Sequence, residues 1–295
     1  MANFISRARY YATSIVKWPF AKYFQCSNCN GQPGRYVDRK YLITALGECE
    51  RCRILFRTPI NTPDELTSFY LKDYRTDNTD TPAIRDPEAY RSMAELRRYR
   101  DYRDYIRVLQ AAGCMAGTRV FEYGCSWGYG AAQLRDAGFE VTGYEISGNN
   151  REFARKVLGL DIVDDFDACV AAPPLERFDV FFSSHVLEHL SSVDAIFKAA
   201  RSLVRPGGIL AFFVPNGSAA FRAVDERRWR RLWGEVHPLF LTDQFFLKAF
   251  EGEDIIVGAS PLDGRAVSSF VRSGGTCVEP LQSKELACLV RLARG

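Results

Sequence analysis

An open, mostly parallel α/β sheet preceded by a small cysteine-bound ribbon is the architecture expected of this chain, on three observations. Arg119 to Tyr123 is a β-branched and aromatic run that ends in glycines at 124, 128 and 130. A helix-compatible segment, Ala131 to Ala137, then leads through Gly138 to a second apolar strand, Phe139 to Tyr144. This is a strand–loop–helix–strand unit whose first turn lets backbone approach a ligand, because glycine has no Cβ to hold it off. Strand-like and helix-like patterns alternate downstream, the order that gives parallel strands with crossover helices. Upstream, Cys26-x-x-Cys29 and Cys49-x-x-Cys52 are separated by 19 residues.

Taken in order, residues 1–37 hold five basic and no acidic residues, with Tyr10, Tyr11, Trp18 and Phe20 among them. Such a segment suits an amphipathic helix on an anionic membrane or an Arg-containing transit sequence. A helix packed on the ribbon and ended by Pro19 is the preferred reading, since aromatic stripes are usually core. The four cysteines have the spacing of a four-thiolate zinc ribbon, in which tetrahedral Zn²⁺ closes a fold too small to hold itself by burial. Tyr36 to Ile43 can pair as strands between the two knuckles, and Arg53 to Arg57 follows the second. Two disulfides are disfavoured, because no cleavable signal peptide precedes the motif and five more cysteines are scattered downstream. With no open ligand position, zinc held by Cys26, Cys29, Cys49 and Cys52 is expected to be structural.

Residues 64–110 read as a helical connector. Tyr70 and Tyr74 share a face, and Arg85 to Arg107 alternates Arg with Asp, Glu and Tyr over a buried stripe of Met93, Leu96, Tyr99, Ile106 and Leu109. Past the central unit, Asp161 to Val163 is a short strand and Phe178 to Ser184 a longer one. Ser191 to Val204 is a helix with a Ser cap, stopped by Pro206-Gly-Gly208 before a strand from Ile209 to Val214. Thr242 to Phe250 is a helix. Asp254 to Ala259 and Ala266 to Val271 are expected to close the sheet as a hairpin across Leu262-Asp-Gly264.

The glycine turn separates two nucleotide classes. A dinucleotide fingerprint is G-x-G-x-x-G, with pyrophosphate on the helix N-terminus. Here the pattern is Glu122-x-Gly124-x-x-x-Gly128-x-Gly130, and Glu145 follows 21 residues after Gly124. An acid two residues before the first glycine is poorly suited to pyrophosphate and well suited to a cationic amino-acid head. The run resembles motif I of class I S-adenosylmethionine (SAM) methyltransferases, E/D-x-G-x-G-x-G, with Ser126 in place of the middle glycine. The stretch "FDVFFSSHVLEHL…LVRPGGILAFFVPN" is similar to the same region of many small-molecule methyltransferases. The resemblance spans about residues 95–275 and implies a Rossmann-like class I methyltransferase sheet, mostly parallel with an antiparallel C-terminal hairpin. It implies SAM contacts from Glu122, Gly124, Ser126, Gly128 and Gly130. It also implies Glu145 with Ile146 at the ribose, Asp165 and Phe166 at the adenine, and Ser183 at the end of the fourth strand. An aromatic connector, in similar enzymes, folds over the SAM pocket as a lid. Ribbons of this kind precede the domain in some bacterial sugar and surface-glycan methyltransferases. The expected divisions are 1–60 (N-terminal segment and ribbon), 61–110 (connector), 111–275 (SAM-binding domain) and 276–295 (tail).

Methyl transfer requires an aligned nucleophile and often removal of its proton. The chain has only three histidines, His185, His189 and His237, which follow strands four and five and can face one cleft. His185 is the expected general base; His189 beside Glu188 and His237 before Pro238 also suit structural roles. A second idea sets His185, Glu188 and His189 on one helix face, with His237 completing a divalent-metal site. This resembles the E-x-x-E-H…H pattern of certain ubiquinone-biosynthesis and RNA 3′-end methyltransferases, with His185 in place of the first Glu. Between residues 221 and 238, Arg222, Arg227, Arg228, Arg230 and Arg231 accompany Trp229 and Trp233. That combination fits a phosphate-bearing sugar, and equally a surface helix whose arginines pair with Asp225, Glu226 and Glu235.

A net charge of +3 argues against nucleic acid as partner, and no apolar run reaches the ~20 residues of a membrane span. The expected function is SAM-dependent methyl transfer to an oxygen or nitrogen of a small molecule, foremost a sugar nucleotide or glycan, in the cytoplasm. A metal-assisted RNA methyltransferase and a non-catalytic SAM-binding scaffold are the alternatives. The oligomeric state is not legible.

Overall fold

The computed structural model describes residues 2–68, 101–171 and 177–294. Tyr70, Tyr74, Met93, Leu96 and Tyr99, with the lid expected of the connector, lie outside the described residues.

The ribbon half begins with helix α1 (Ala2–Lys17), followed by strands β1 (Pro33–Lys40), β2 (Thr44–Cys49) and β3 (Leu55–Thr58) and helix α2 (Pro63–Ser68). Helix α1 lies on the ribbon with Tyr10, Ser14 and Lys17 turned inward. Successive strands of the ribbon pair antiparallel, as the hairpin pattern around the knuckles predicts. The fourth strand of this sheet comes from far downstream. Strand β9 (Leu239–Phe240) pairs with β3 through Leu55–Phe240 and Phe56–Leu239, and Arg57 N–H donates to Pro238 O at 2.8 Å. The ribbon is thus joined to the main domain by a shared sheet.

The main domain runs α3 (Arg103–Ala111), β4 (Arg119–Tyr123), α4 (Tyr129–Asp136), β5 (Glu140–Tyr144), α5 (Gly148–Lys156), β6 (Asp161–Val163), α6 (Phe166–Ala171), β7 (Phe178–Ser184), α7 (Asp194–Leu203) and β8 (Val204–Pro215). Two short helices, α8 (Ala219–Val224) and α9 (Glu226–Arg231), precede β9. Then follow α10 (Asp243–Ala249), β10 (Asp254–Ala259), α11 (Gly264–Ser273), β11 (Thr276–Val278) and β12 (Glu285–Arg291). The eight-stranded sheet has the order β11-β10-β12-β8-β7-β4-β5-β6. β6, β5, β4, β7 and β8 are mutually parallel, and β12 is antiparallel to both β8 and β10.

Both faces of the sheet are covered, so its strands read as continuous apolar runs. Along β8, Leu210, Phe212 and Val214 point into one core with Phe197 of α7 and Phe245, Phe246 and Phe250 at α10. Ala211 and Phe213 point the other way, against Tyr105 and Leu109 of α3 and Val267 and Phe270 of α11. That alternation is the period of two of an extended chain.

The terminal hairpin expected across Leu262-Asp-Gly264 does not form. Asp263 caps α11, its Oδ1 accepting from Arg265 N–H and Ala266 N–H, and Val267, Phe270 and Val271 share a helical face. The antiparallel partner of β10 is β12, whose Leu286 to Val290 are completely buried. Residues 276–295, expected to be a tail, therefore supply two strands of the sheet. Helix α7 also starts later and ends earlier than expected. Its first residue follows Val193, which makes no side-chain cap, and the chain is extended by Val204 because β8 pairs with Phe178 there.

Candidate functional site

The expected SAM-contacting residues lie around the carboxyl ends of β4, β5, β6 and β7, where open α/β sheets bind ligands. Gly124 has φ +81°, and a Cβ there would lie 2.3 Å from Val186 Cγ2. The glycine turn is therefore packed against the residue after His185. Ser126 adopts φ +53°, so the backbone keeps the left-handed conformation where the motif usually has glycine. Gly128 caps α4 at φ +84°, and a Cβ at Gly130 would strike the Tyr102 ring at 2.1 Å.

Glu145 sits just past β5, half-buried, and binds the turn. Its Oε2 accepts from Ser126 N–H at 3.0 Å and its Oε1 from Ser147 N–H at 2.9 Å. Burial raises its pKa against the pull of those two N–H groups. Ile146 beside it is exposed. Glu122 is buried under the turn, and Tyr102 O–H donates to its Oε1 at 2.8 Å. Sequence reasoning missed Tyr102, which lies 20 residues before Glu122. Asp165 caps α6 by accepting from Ala168 N–H at 3.0 Å. With Phe166 it lines a cleft of about 740 Å³ that Tyr123, Tyr144, Ile196 and Ala199 complete. Ser183 is buried within β7, and its hydroxyl donates to Tyr123 O at 3.1 Å, so that hydroxyl links neighbouring strands.

His185 caps the end of β7 at φ +56°, a left-handed conformation that costs roughly 1–2 kcal/mol for a residue with a Cβ. Its Nε2 lies 2.6 Å from Glu285 Oε1, which also accepts from Tyr105 O–H at 2.5 Å. Because a carboxylate only accepts, Nε2 carries the proton and Nδ1 faces Glu188 Oε1 at 3.4 Å. Burial would raise Glu285, but His185, Ser260 and Tyr105 more than reverse it and the carboxyl is lowered. Glu285 belongs to the segment expected to be a tail, 100 residues from His185.

The other two histidines meet at Glu188, whose carboxylate is completely buried. Nδ1 of His189 donates to Val236 O at 2.9 Å and Nδ1 of His237 to Leu232 O at 2.6 Å, with the rings 4.6 Å apart. One ligand atom from each of Glu188, His189 and His237 lies within 4.8 Å of the others. Burial lowers His189 to about 4, leaving it neutral with its Nε2 lone pair 3.8 Å from Glu188 Oε1. Burial alone would raise Glu188, yet the adjoining His185, with the charge that the three rings carry when protonated, lowers it to about 2. The helix face expected to unite His185, Glu188 and His189 is replaced by a single 3-10 turn, Leu187–His189. His185 turns aside toward Glu285, and Val236 and Leu232 orient the other two rings.

In the ribbon, Cys26 Sγ lies 3.8 Å from Cys52 Sγ and Cys29 Sγ lies 3.4 Å from Cys49 Sγ. All four sulfurs lie within 4.8 Å of one another, and all four thiols are free. Bonds of about 2.3 Å to a tetrahedral ion put sulfurs about 3.8 Å apart, so this donor set fits Zn²⁺. The Arg- and Trp-bearing insert, expected as a candidate acceptor site, packs on the ribbon instead. Trp229 and Trp233 are buried, and Trp233 Nε1–H donates to Asp38 Oδ2 at 3.0 Å. Arg230 pairs with Asp38, and Arg222 pairs with Glu226 and donates to Val37 O.

The family described as "Methyltransferase domain" matches residues 93–251, more than half of the chain. A ubiquinone biosynthesis O-methyltransferase of Actinobacillus pleuropneumoniae serotype 5b is 32% identical over 122 residues, covering 38% of this chain and 51% of that protein. One from Mesorhizobium japonicum is 31% identical over 105 residues, covering 34% and 42%. The chain thus spans about half the length of the curated relatives it matches. A solved SAM-dependent methyltransferase from Archaeoglobus fulgidus is similar over 70% of this chain and 94% of its own, with 17% identity and a TM-score of 0.42.

Proposed function

The chain belongs to the methyltransferase-domain family, and from that premise we propose that it moves a methyl group from SAM to a hydroxyl oxygen of a small molecule. One observation carries the reading: His185, oriented by Glu285, adjoins the glycine turn that Glu145 and Glu122 equip for SAM. In this reading Glu122 faces the cationic amino-acid head, Glu145 the ribose, and Asp165 with Phe166 the adenine. SAM supplies an electrophilic methyl group. His185 removes the acceptor's proton: with Nε2–H fixed on Glu285, the lone pair at Nδ1 takes the proton, and the Glu188 carboxylate at 3.4 Å stabilises the imidazolium. Glu285 and Tyr105 orient the ring.

An oxygen acceptor agrees with the names of the relatives. A sugar nucleotide or glycan gains no support from the insert, because both of its indoles are buried against the ribbon. RNA is further disfavoured by Arg222 and Arg230, which are engaged by Glu226 and Asp38. We assign Cys26, Cys29, Cys49 and Cys52 to one structural zinc, and these thiolates suit a reducing, cytoplasmic setting.

The test is transfer of labelled methyl from SAM to a panel of hydroxyl-bearing ubiquinone precursors and nucleotide sugars. His185→Ala is expected to lower kcat by ~10²–10⁴ with SAM affinity unchanged. A variant with wild-type turnover would remove His185 from the role of base. SAM binding without transfer to any acceptor would favour the non-catalytic reading.

A second reading has an observation of its own. The Nε2 lone pair of neutral His189 faces a buried carboxylate, an arrangement that a cation between them relieves. Each ring of the pair also donates its other N–H to a carbonyl, as metal-bound histidines do. In this reading Glu188, His189 and His237 would hold a divalent ion, which would supply a Lewis-acid contact for the acceptor oxygen. Calorimetric titration of the zinc-loaded wild-type chain with Mg²⁺ or further Zn²⁺, against Glu188→Ala in the same background, tests it; equal heats from both proteins would exclude the site.

A further inference from the structure

Helix α1 buries Tyr10 together with two polar residues. Ser14 and Lys17 are buried beneath it, Lys17 Nζ donating to Ile60 O at 3.1 Å and pairing with Glu65. Ile15, Val16, Trp18 and Phe20 face out, with Val16 at 70% exposure. The turn between β1 and β2 continues this surface. Tyr41 and Leu42 adopt φ +52° and +57° there, and Leu42 is 82% exposed. Trp18 Nε1–H donates to Ile43 O at 2.9 Å, and the Tyr11 and Tyr41 rings meet edge-on at 5.3 Å. The helix end and the hairpin tip therefore form one apolar projection. A helix that buries Ser14 and Lys17 while it exposes Ile15 and Val16, beside an apolar hairpin tip, is not explained by packing, and contiguous exposed apolar surface marks an interaction site.

The surrounding charge selects the partner. Arg9, Lys22 and Arg39 are exposed around the projection, and residues 1–37 hold no acid. Asp38, Glu48 and Glu65 are each bound by an Arg or Lys. With its indole N–H already satisfied, Trp18 can enter an apolar phase without an orphan donor. Aliphatic tips, Trp and Tyr at their base and a cationic rim are the composition that seats a protein in an anionic lipid interface. We propose that the outward face of α1 and the β1–β2 tip dock the protein peripherally on an anionic phospholipid membrane.

Flotation of the full chain with vesicles tests this. Binding is expected to phosphatidylcholine vesicles that contain phosphatidylglycerol, to weaken in ~1 M salt, where the Debye length is about 3 Å, and to be weak on phosphatidylcholine alone. Val16→Glu combined with Leu42→Glu is expected to lower the partition coefficient at least ~tenfold, the scale of losing one buried aliphatic side chain. Both positions are exposed, so melting temperature and SAM affinity should match wild type. Absence of binding to the anionic vesicles, or equal binding by wild type and variant, would overturn the proposal. So would self-association that the variant abolishes in a protein that ignores vesicles, which would assign the surface to a second copy.

Discussion

Glu145 shows how much a single residue is asked to do. It closes the glycine turn through Ser126 N–H, opens α5 through Ser147 N–H, and in the proposed function holds the ribose. Glu145→Ala is therefore expected to weaken SAM binding by ~1.5–3 kcal/mol, the scale of hydrogen bonds to a charged group; unchanged affinity in a folded variant, read by calorimetry, would remove it from the ribose. Its position was legible because the motif is local: a strand, a turn and the next strand tip fix it within 21 residues of Gly124. The partners of His185 were not legible. Tyr105 and Glu285 are 180 residues apart and meet only because β12 inserts beside β8. Glu285 has a lowered pKa in the folded chain: burial, the largest single influence, raises it, and His185, Ser260 and Tyr105 together outweigh burial. A carboxyl lowered on folding contributes stability that is present above its unfolded pKa of about 4.3 and is lost as pH falls through the folded value. Glu285→Gln should thus lower the melting temperature at pH 7 and show a smaller loss than wild type between about pH 5 and 3. It should also lower kcat, with SAM affinity unchanged. Parallel melting curves of the two proteins over that range would show that the carboxylate carries no such coupling.

Among the elements, those with one strong periodicity were readable. β4, β5, β7 and the second half of β8 follow the expected runs; for β4, β7 and β8 this is because a strand buried on both faces needs little besides apolar side chains. The failures came where two periods compete. Ala266 to Val271 contains two valines and a phenylalanine, which suit a strand, but the Asp263 cap and the spacing of Val267 and Phe270 select a helix. The segment of α8 and α9 failed differently. Arginines beside tryptophans describe a ligand site and a packed seam equally well, and the deciding residues, Val37 and Asp38, are almost 200 positions away. Trp233 is a test of which reading governs. Trp233→Ala is expected to cost ~3–5 kcal/mol of stability, as for other buried aromatic truncations, while KM for the acceptor stays near wild type. Chemical denaturation with a steady-state assay separates the two. A stable variant with a raised KM would return the insert to acceptor recognition.

For the whole molecule, the ribbon and the methyltransferase domain share a sheet and a core. Strand β9 completes the ribbon sheet two residues after His237, and Asn28 of the first knuckle accepts from Ser192 O–H at 3.0 Å and Val193 N–H at 2.9 Å, just past His189. Cys26, Cys49, Ile54 and Phe56 belong to the same buried cluster as Val193, Ile196 and Leu239. Sequence reasoning brought the four cysteines together from their spacing but could not see this seam, since Leu239 and Phe240 carry no mark of a ribbon strand. The seam changes what metal loss should do. A ribbon tethered as a separate unit would melt alone and leave the SAM domain intact. Zinc binding is folding free energy for such a site, and here the structure that a zinc at the four cysteines would hold also backs the turns that carry His189 and His237. Wild-type protein should contain one ribbon zinc per chain. Cys49→Ser should lose it, lower the melting temperature of the main transition, and raise amide exchange at residues 187–193 and 236–241. Metal analysis, calorimetry and hydrogen exchange on the same preparation read all three. A zinc-free variant whose main transition and exchange in those turns match wild type would mean that the ribbon folds beside the domain without bracing it.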